Sequence, residues 1–533
     1  MSTTGRGPRH PARVPTVPRE VHGSPPPTLR AMVGARGPHH RNAPAAAPGG
    51  DPGDPEVARA VAEARRAFPR WADTPVAERQ RHLAELRRVL VDRADTVVAT
   101  VNGETGRLPA DVVVAEVLHA AAHVDWLARS AGRALAGSRA VAWPLLAKRT
   151  EVHHRPRGVA AVLSPWNYPF LLALLPTVTA LAAGCTVVLK PSERTPAAGD
   201  LVATLLTEAG FPDGMVQVVH GGAEVGEALA AADVDVVSLT GSPATGRRVA
   251  ELAARRLTPV VAELGGNDAM VVLDDADLRR AARAAAWGAC FNAGQSCVAI
   301  ERCYVVDTVH DRFVAELERA FDDLSVGGGD RRDVGPMVLP GAAARLAGQV
   351  RAAVAAGARL HRGGSPVRRG GHEYLEPTLL SAVPPDAAIV REESFGPVLP
   401  VLSVPDEETA VAMVNDSPYG LSASVWTADR DQGRRIAARL RVGAVAVNDC
   451  LVNYAAPGLP FGGRGASGTG RQGGVEGLRA YCYSQTVTDG WVNPPRELQW
   501  FPRLAGARTW AGAARLLYGR GRRAGHAPAA RPR

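Results

Sequence analysis

A chain of 533 residues exceeds one ordinary domain, and 46% apolar with 22% charged residues is the composition of a soluble globular protein, not of a fibrous, low-complexity or membrane-embedded one. The net charge of +9 would suggest nucleic acid or an anionic surface. Yet residues 1–50 hold +6 and residues 501–533 hold +8, leaving −5 for the body. The basicity belongs to the ends, so no nucleic-acid partner is implied.

Residues 1–50 are rich in Pro, Arg, Gly and Ala without apolar periodicity, and are expected to form a disordered basic tail. They lack the apolar core of a secretory signal, and no run of about 18 apolar residues follows anywhere. From Glu56 to Leu135, "EVARAVAEARRAF" and "ERQRHLAELRRVLVDRADTVVATV" repeat apolar residues at three and four, which predicts helices. Short β-branched runs then alternate with helical sequence: "GVAAVLSP" (158–165), "CTVVLKPS" (185–192), "MVQVVHG" (215–221), "VDVVSLTG" (234–241) and "PVVAELGG" (259–266). Such alternation predicts an α/β fold with a parallel sheet, whose ligands bind beyond the carboxyl ends of the strands. Polar and glycine residues gather at those ends: the first run reaches Ser164, Pro165, Trp166 and Asn167, the second Lys190, Pro191, Ser192 and Glu193, the fourth Gly241 and Ser242, and the fifth Glu263, Gly265 and Gly266.

Further along, "FNAGQSCVAI" (291–300) places Cys297 after Gly294, Gln295 and Ser296. A lone cysteine usually packs as a small hydrophobe. These neighbours cannot build an apolar pocket, which would leave the sulfur near backbone N–H groups and favour the nucleophilic thiolate. The six cysteines show no CxxC pair and no spacing suited to disulfides or zinc, so no metal is expected and a reducing cytoplasm is the natural compartment.

"SPWNYP", "LKPSE", "TGSPATG", "ELGG", "FNAGQSC", "EESFGP" and "PFGGRGASGTGR" occur in an order and spacing that resembles the NAD(P)-dependent aldehyde dehydrogenase superfamily over about residues 55–490. The resemblance implies a Rossmann-type cofactor-binding domain over 51–266, with a small β oligomerisation flap near 137–156. It further implies an α/β catalytic domain over 267–465, a return segment and oligomerisation strand over 466–495, and a basic tail over 496–533. A homodimer or homotetramer follows from the same comparison.

The chemistry can be rebuilt around that likeness. Attack by Cys297 on an aldehyde carbon creates an alkoxide, and the Asn167 amide with the Cys297 backbone N–H resembles the oxyanion donors it needs. Glu263 is the carboxylate able to activate water against the resulting thioester. Lys190 and Glu193 are similar to the family's grip on the adenosine ribose, Ser242 to its pyrophosphate contact, and Glu393 and Phe395 to its nicotinamide-side residues. Ser164, Pro165, Trp166, Ser192, Gly241, Leu264 and Gly265 complete the expected cofactor rim. A carboxylate at 193 favours the free 2′-hydroxyl of NAD, with NADP also admissible.

For the substrate, "TGSPATGRRVAELAARRL", "AIERCYVV" and "RRIAARLRVGAVAVND" are similar to bacterial succinate-semialdehyde dehydrogenases, mostly NADP-linked. The stretch "YPFLLALLPTVTALAAG" nevertheless offers no cation for a substrate carboxylate. Tyr168, Leu172, Leu175, Phe291, Ser296 and Val298 are expected to line an apolar tunnel for aliphatic or aromatic aldehydes. After "ELGG", Asn267 and Asp268 stand where lysine is frequent. A catalytically silent protein on the same fold would lack the thiol, the amide or the glutamate, and all three are present. A cysteine hydrolase would need a histidine partner, and no motif supplies one. The C-terminal piece from Glu497, with Trp500, Phe501, Trp510, Leu516 and Leu517 among arginines, is expected to be a solvated tail and not a membrane contact.

Overall fold

In the computed structural model, the described residues are 54–140, 148–329, 331–492, 494–497, 500–503 and 505–519. The basic tail read over 1–50 and the centre of the flap, including Trp143, lie outside them.

The chain enters through helices Pro55–Asp73, Val76–Asp92, Ala94–Thr105 and His119–Ala134. Asp54 caps the first, its carboxylate accepting from the backbone N–H of Glu56 at 2.9 Å and of Val57 at 3.3 Å, as an N-cap should. A short helix Pro109–Val112 runs into a π-helical turn, Val113–Leu118. That wider turn rotates Glu116 into the interior, where it is fully buried, while Val114 and Leu118 stay exposed. π-Turns inside helices often mark functional sites.

The five β-branched runs form five strands of a six-stranded sheet. In spatial order they are Gly468–Thr469, Val260–Glu263, Val236–Thr240, Val159–Leu163, Thr186–Lys190 and Val216–Val218. The last five are mutually parallel, and only Gly468–Thr469 runs antiparallel. Val159–Leu163 and Thr186–Lys190 are buried at every position, because helices cover both faces of a parallel sheet. One of those helices, Pro169–Ala183, is buried along its whole length. It continues directly from the strand end that carries Asn167.

A second sheet holds seven strands in the order Arg359–Arg362, Thr378–Ser381, Val398–Val404, Ile300–Val306, Asp268–Val272, Ser422–Trp426 and Ala444–Val447. All neighbours are parallel except the first pair. Helix Leu278–Cys290 precedes the thiol loop, which feeds the central strand Ile300–Val306. A third, antiparallel sheet joins Ser138–Ala140, Lys148–Pro156 and Cys482–Gly490. Its last strand is paired from Cys482↔Pro156 to Gly490↔Lys148 and is exposed from Tyr483 to Asp489. No helix of the described residues is long and apolar enough to cross a membrane.

Candidate active site

The thiol sits where the two larger sheets meet. In the chain, strand Val260–Glu263 of the six-stranded sheet is followed by strand Asp268–Val272 of the seven-stranded one, so Gly265 and Gly266 span the junction. A Cβ on Gly266 would stand 2.0 Å from the Cys297 carbonyl oxygen; glycine is what lets the two segments touch. Gly294 adopts φ +70°, and a Cβ there would lie 2.2 Å from the Gly396 backbone, so the loop can turn only with this residue.

Asn167 meets that loop. Its amide Nδ2 donates to the Gln295 carbonyl at 3.1 Å, two residues before the thiol, and the Asn292 amide donates to the carbonyl oxygens of Asn167 and Gln295 at 3.1 and 3.2 Å. Asn292 and Ala293 both have φ of 54°, a left-handed pair that pulls the chain tightly between helix and loop. Beneath Asn167, Arg107 and Glu116 form a fully buried ion pair. The Glu116 carboxylate accepts from the backbone N–H of Phe170 and Leu171 at 2.8 and 3.0 Å, an anion at a helix N-terminus. Arg107 donates to the Asn167 carbonyl at 3.3 Å and lies 4.6 Å over the Tyr168 ring.

Cys297 is half-buried and shares a cavity of about 250 Å³ with Glu263. The small polar neighbours do not favour thiolate as the sequence suggested. Burial raises the thiol pKa first, and the carboxyl groups of Asp268, Glu393 and Glu263 add to it. Glu263 is 5% exposed, and both its carboxyl oxygens are buried without a protein partner. Burial pushes its pKa well above the ordinary carboxylate range, and Arg471 offsets only part of this. Asp268, accepting from the Ser422 N–H at 2.9 Å, is pushed up to about 7, again by burial first.

The expected cofactor rim assembles along adjacent strand ends. Lys190 pairs in register with Leu163, and Thr240 with Glu263. Lys190 Nζ donates to the Pro191 carbonyl at 2.9 Å and stands 3.9 Å from the Glu193 carboxylate. Ser164 and Ser192 are buried and Pro165 half-buried beside them; the Ser164 hydroxyl has no protein partner, while Ser192 Oγ accepts from the Arg194 N–H at 3.3 Å. Ser242 caps helix Pro243–Ala254, accepting from the Thr245 N–H at 3.1 Å, and the Gly241 N–H donates to the Glu263 carbonyl. The Leu264 N–H donates to the Ser467 carbonyl at 3.2 Å. On the opposite rim, Glu393 accepts from the Gly266 N–H at 2.9 Å, and the Phe395 ring meets Trp166 edge-on at 5.6 Å. A carboxylate with 55% of its side chain exposed can accept from a dinucleotide's ribose hydroxyls, while the unpartnered Ser164 hydroxyl and the remaining N–H groups at the Ser242-capped helix N-terminus can donate to its oxygens.

The cavity is otherwise mostly apolar, with His119, Thr240, Ser296 and Gln472 among its polar wall residues. Tyr168, Leu172, Phe291, Ser296 and Val298 line it as expected, together with Leu171, Val114, Ala115, Leu118, Trp287, Tyr454 and Phe461. No lysine or arginine is among its lining residues. Leu175 is a correction: it faces a smaller neighbouring pocket with His123, Thr179 and Tyr481. The Tyr454 and Phe461 rings, packed edge to face at 4.7 Å, line both spaces and stand between them.

The sequence model of the "Aldehyde dehydrogenase family" matches residues 37–487. The chain belongs to the aldehyde dehydrogenase family. A Methylomonas relative named 4,4'-diapolycopene aldehyde oxidase is 39% identical over 469 residues, 87% of either chain. A Mycobacterium tuberculosis relative, provisionally named succinate-semialdehyde dehydrogenase (NADP(+)) 2, is 38% identical over 450 residues, 83% of this chain and 86% of its own. Among solved structures, M. tuberculosis aldehyde dehydrogenase complexed with NAD+ superposes with a TM-score of 0.77 at 34% identity, covering 81% of this chain and 89% of its own. This chain is therefore an oxidoreductase that oxidises aldehydes with NAD(P), and its fold is the α/β aldehyde dehydrogenase fold.

Several site-forming residues of this family member carry little sequence signal. Glu301 is buried in strand Ile300–Val306 and accepts from the N–H groups of Ser394 and Phe395 at 2.8 Å each, holding Phe395 at a φ of 54°. Burial raises the pKa values of Glu301 and Glu393 together. The charged neighbours Glu301 and Arg302 inside a strand of mostly apolar residues were the available clue. His119 and Tyr454 reach the cavity from distant segments, their rings 4.6 Å apart, and only the folded chain brings them there.

Proposed function

We propose that this enzyme converts apolar aliphatic or aromatic aldehydes to carboxylic acids through a thioester on Cys297. The observation that carries this reading is one cavity holding Cys297 and Glu263 with no lysine or arginine in its walls. The Cys297 thiol loses its proton to solvent and its sulfur attacks the aldehyde carbon, forming the C–S bond of a thiohemiacetal as the C=O π electrons move onto oxygen. The Asn167 amide and the Cys297 backbone N–H stabilise the oxygen as it gains charge. When bound, the dinucleotide supplies the acceptor for the hydride that leaves this carbon. Glu263 then takes a proton from water as the water oxygen attacks the thioester carbon; the C–S bond breaks, the acid leaves, and the proton held by Glu263 returns to the departing sulfur. The buried, unpartnered carboxyl group of Glu263 has the raised basicity that this step uses.

On this reading Lys190, Glu193, Ser242, Glu393 and Phe395 hold the dinucleotide. The half-exposed Glu193 carboxylate supports NAD over NADP, since it accepts from a 2′-hydroxyl and repels a 2′-phosphate. The Methylomonas relative is named for a diapolycopene aldehyde, which fits an apolar chamber. The mycobacterial name refers to succinate semialdehyde, whose carboxylate would enter this chamber without a cationic partner, a costly desolvation. The exposed edge strand Cys482–Gly490, nine residues long, supports a homodimer or homotetramer, because such edges are normally covered. The cysteine usage supports a cytoplasmic setting. Initial rates for hexanal, benzaldehyde and succinate semialdehyde with each cofactor test the reading. Hexanal or benzaldehyde should lead in kcat/KM, and a clear preference for succinate semialdehyde would overturn it.

A further inference from the structure

Beyond the flap strand, no described residue of the C-terminal segment belongs to an apolar core. Its root is fixed: Glu497 forms an ion pair with Lys148 on the flap at 2.6 Å, both side chains about one-fifth exposed. Helix Ala507–Tyr518 has no buried residue. Phe501 is 78% exposed, Trp500 54% and Trp510 44%. At 100° per residue, Trp510, Ala514 and Leu517 share one face of this helix, and Arg508 with Arg515 projects from the other. Arg503 lies 5.2 Å over the Phe501 ring. No acidic residue follows Glu497, while eight arginines follow residue 500.

Against the expectation of a solvated tail, the exposed aromatic residues and the helix lead to another reading: we propose that this segment docks on an anionic phospholipid surface, with its aromatic residues at the headgroup boundary and its arginines on the lipid phosphates. Two features select that occupant. Exposed Trp and Phe beside an amphipathic helix suit an interface that is apolar on one side and wet on the other, and a run of arginines without acids complements clustered lipid phosphates. Two copies of the same segment would repel each other through those arginines. A nucleic acid would engage the arginines and leave the Trp510–Leu517 face unused. The proposal stands apart from the substrate reading, since docking needs no aldehyde.

Flotation of the full chain with vesicles of phosphatidylglycerol and phosphatidylcholine, against phosphatidylcholine alone, tests it. Most of the protein should float with the anionic vesicles at low salt, under about a tenth with the neutral ones, and 0.5 M salt should release it. The pair Phe501→Ser with Trp510→Ser, and separately Arg508→Glu with Arg515→Glu, should each weaken binding about tenfold or more. Both pairs should leave hexanal oxidation in solution unchanged, because the altered side chains lie outside the cores. Absence of flotation with anionic vesicles, or binding unaffected by both pairs, would overturn the proposal. So would a change of oligomer size in sedimentation velocity caused by either pair, or transfer RNA binding that survives the salt step releasing the vesicles.

Discussion

The strand-end rim and the chamber beside Cys297 treat charge in opposite ways. At the rim, Glu193 keeps 55% of its side chain in water and Lys190 has a carbonyl and a carboxylate for company. In the chamber, Glu263 is 5% exposed and its oxygens have no protein partner. A hydrated charge binds and releases a ligand at modest cost, whereas a desolvated one gains basicity. On the proposed reading, the same residue type serves recognition at one strand end and reactivity at another of the same sheet. The Arg107–Glu116 pair is a third case: buried, mutually neutralised and spent on holding the Asn167–Leu171 turn.

The contrast breaks most visibly at the sulfur. Cys297→Ala should lower aldehyde-dependent nicotinamide reduction by about 10⁴-fold or more, with the thermal midpoint unchanged; near-normal turnover would remove the thiol from the chemistry. Glu263→Gln should keep a burst of reduced cofactor while steady-state turnover falls about 10²- to 10³-fold. The sign of its pH dependence follows from the raised pKa. The base works only when deprotonated, so the steady-state rate of the unaltered enzyme should fall as pH drops through a value well above the ordinary carboxylate range, and that limb should vanish in the Glu263→Gln enzyme.

Placing charge where the chamber excludes it sharpens the comparison further. Leu118→Arg, at a mouth position 58% exposed, should shift the kcat/KM ratio of succinate semialdehyde to hexanal upward by about tenfold, equivalent to ~1.4 kcal/mol; an unmoved ratio would show that this mouth does not read substrate charge. The smallest effect concerns the thiol itself. Removing a neighbouring negative charge lowers a thiol pKa, so Asp268→Asn should speed iodoacetamide labelling of Cys297 a few-fold at about pH 8.5. An equal or slower rate would contradict the assignment of Asp268 as one of the groups that hold the thiol up.

Much of this was readable from residues alone. Five β-branched runs became five strands because both faces of a parallel sheet demand apolar residues, and their polar ends collected at one rim because parallel strands end on the same side. Cys297, Glu263 and Asn167 were legible through their motifs. The π-turn at Val113–Leu118 was not, since nothing in "VVAEVL" separates it from an ordinary helix. Leu175 was misplaced because its spacing from Leu172 is right for a shared face, while the walls that divide the two pockets, Tyr454 and Phe461, come from far later in the chain. The thiol's ionisation was also misjudged: Gly294, Gln295 and Ser296 are buried themselves, and the carboxyl groups that oppose thiolate arrive from other segments.

The central claim is a covalent bond between substrate and Cys297. Glu263→Gln enzyme mixed with hexanal and NAD, quenched in acid within one turnover and digested, puts it to the most direct measurement by mass spectrometry. The peptide carrying residues 291–300 should gain one hexanoyl group on Cys297. Cofactor reduction in the burst with that peptide unmodified would contradict the claim.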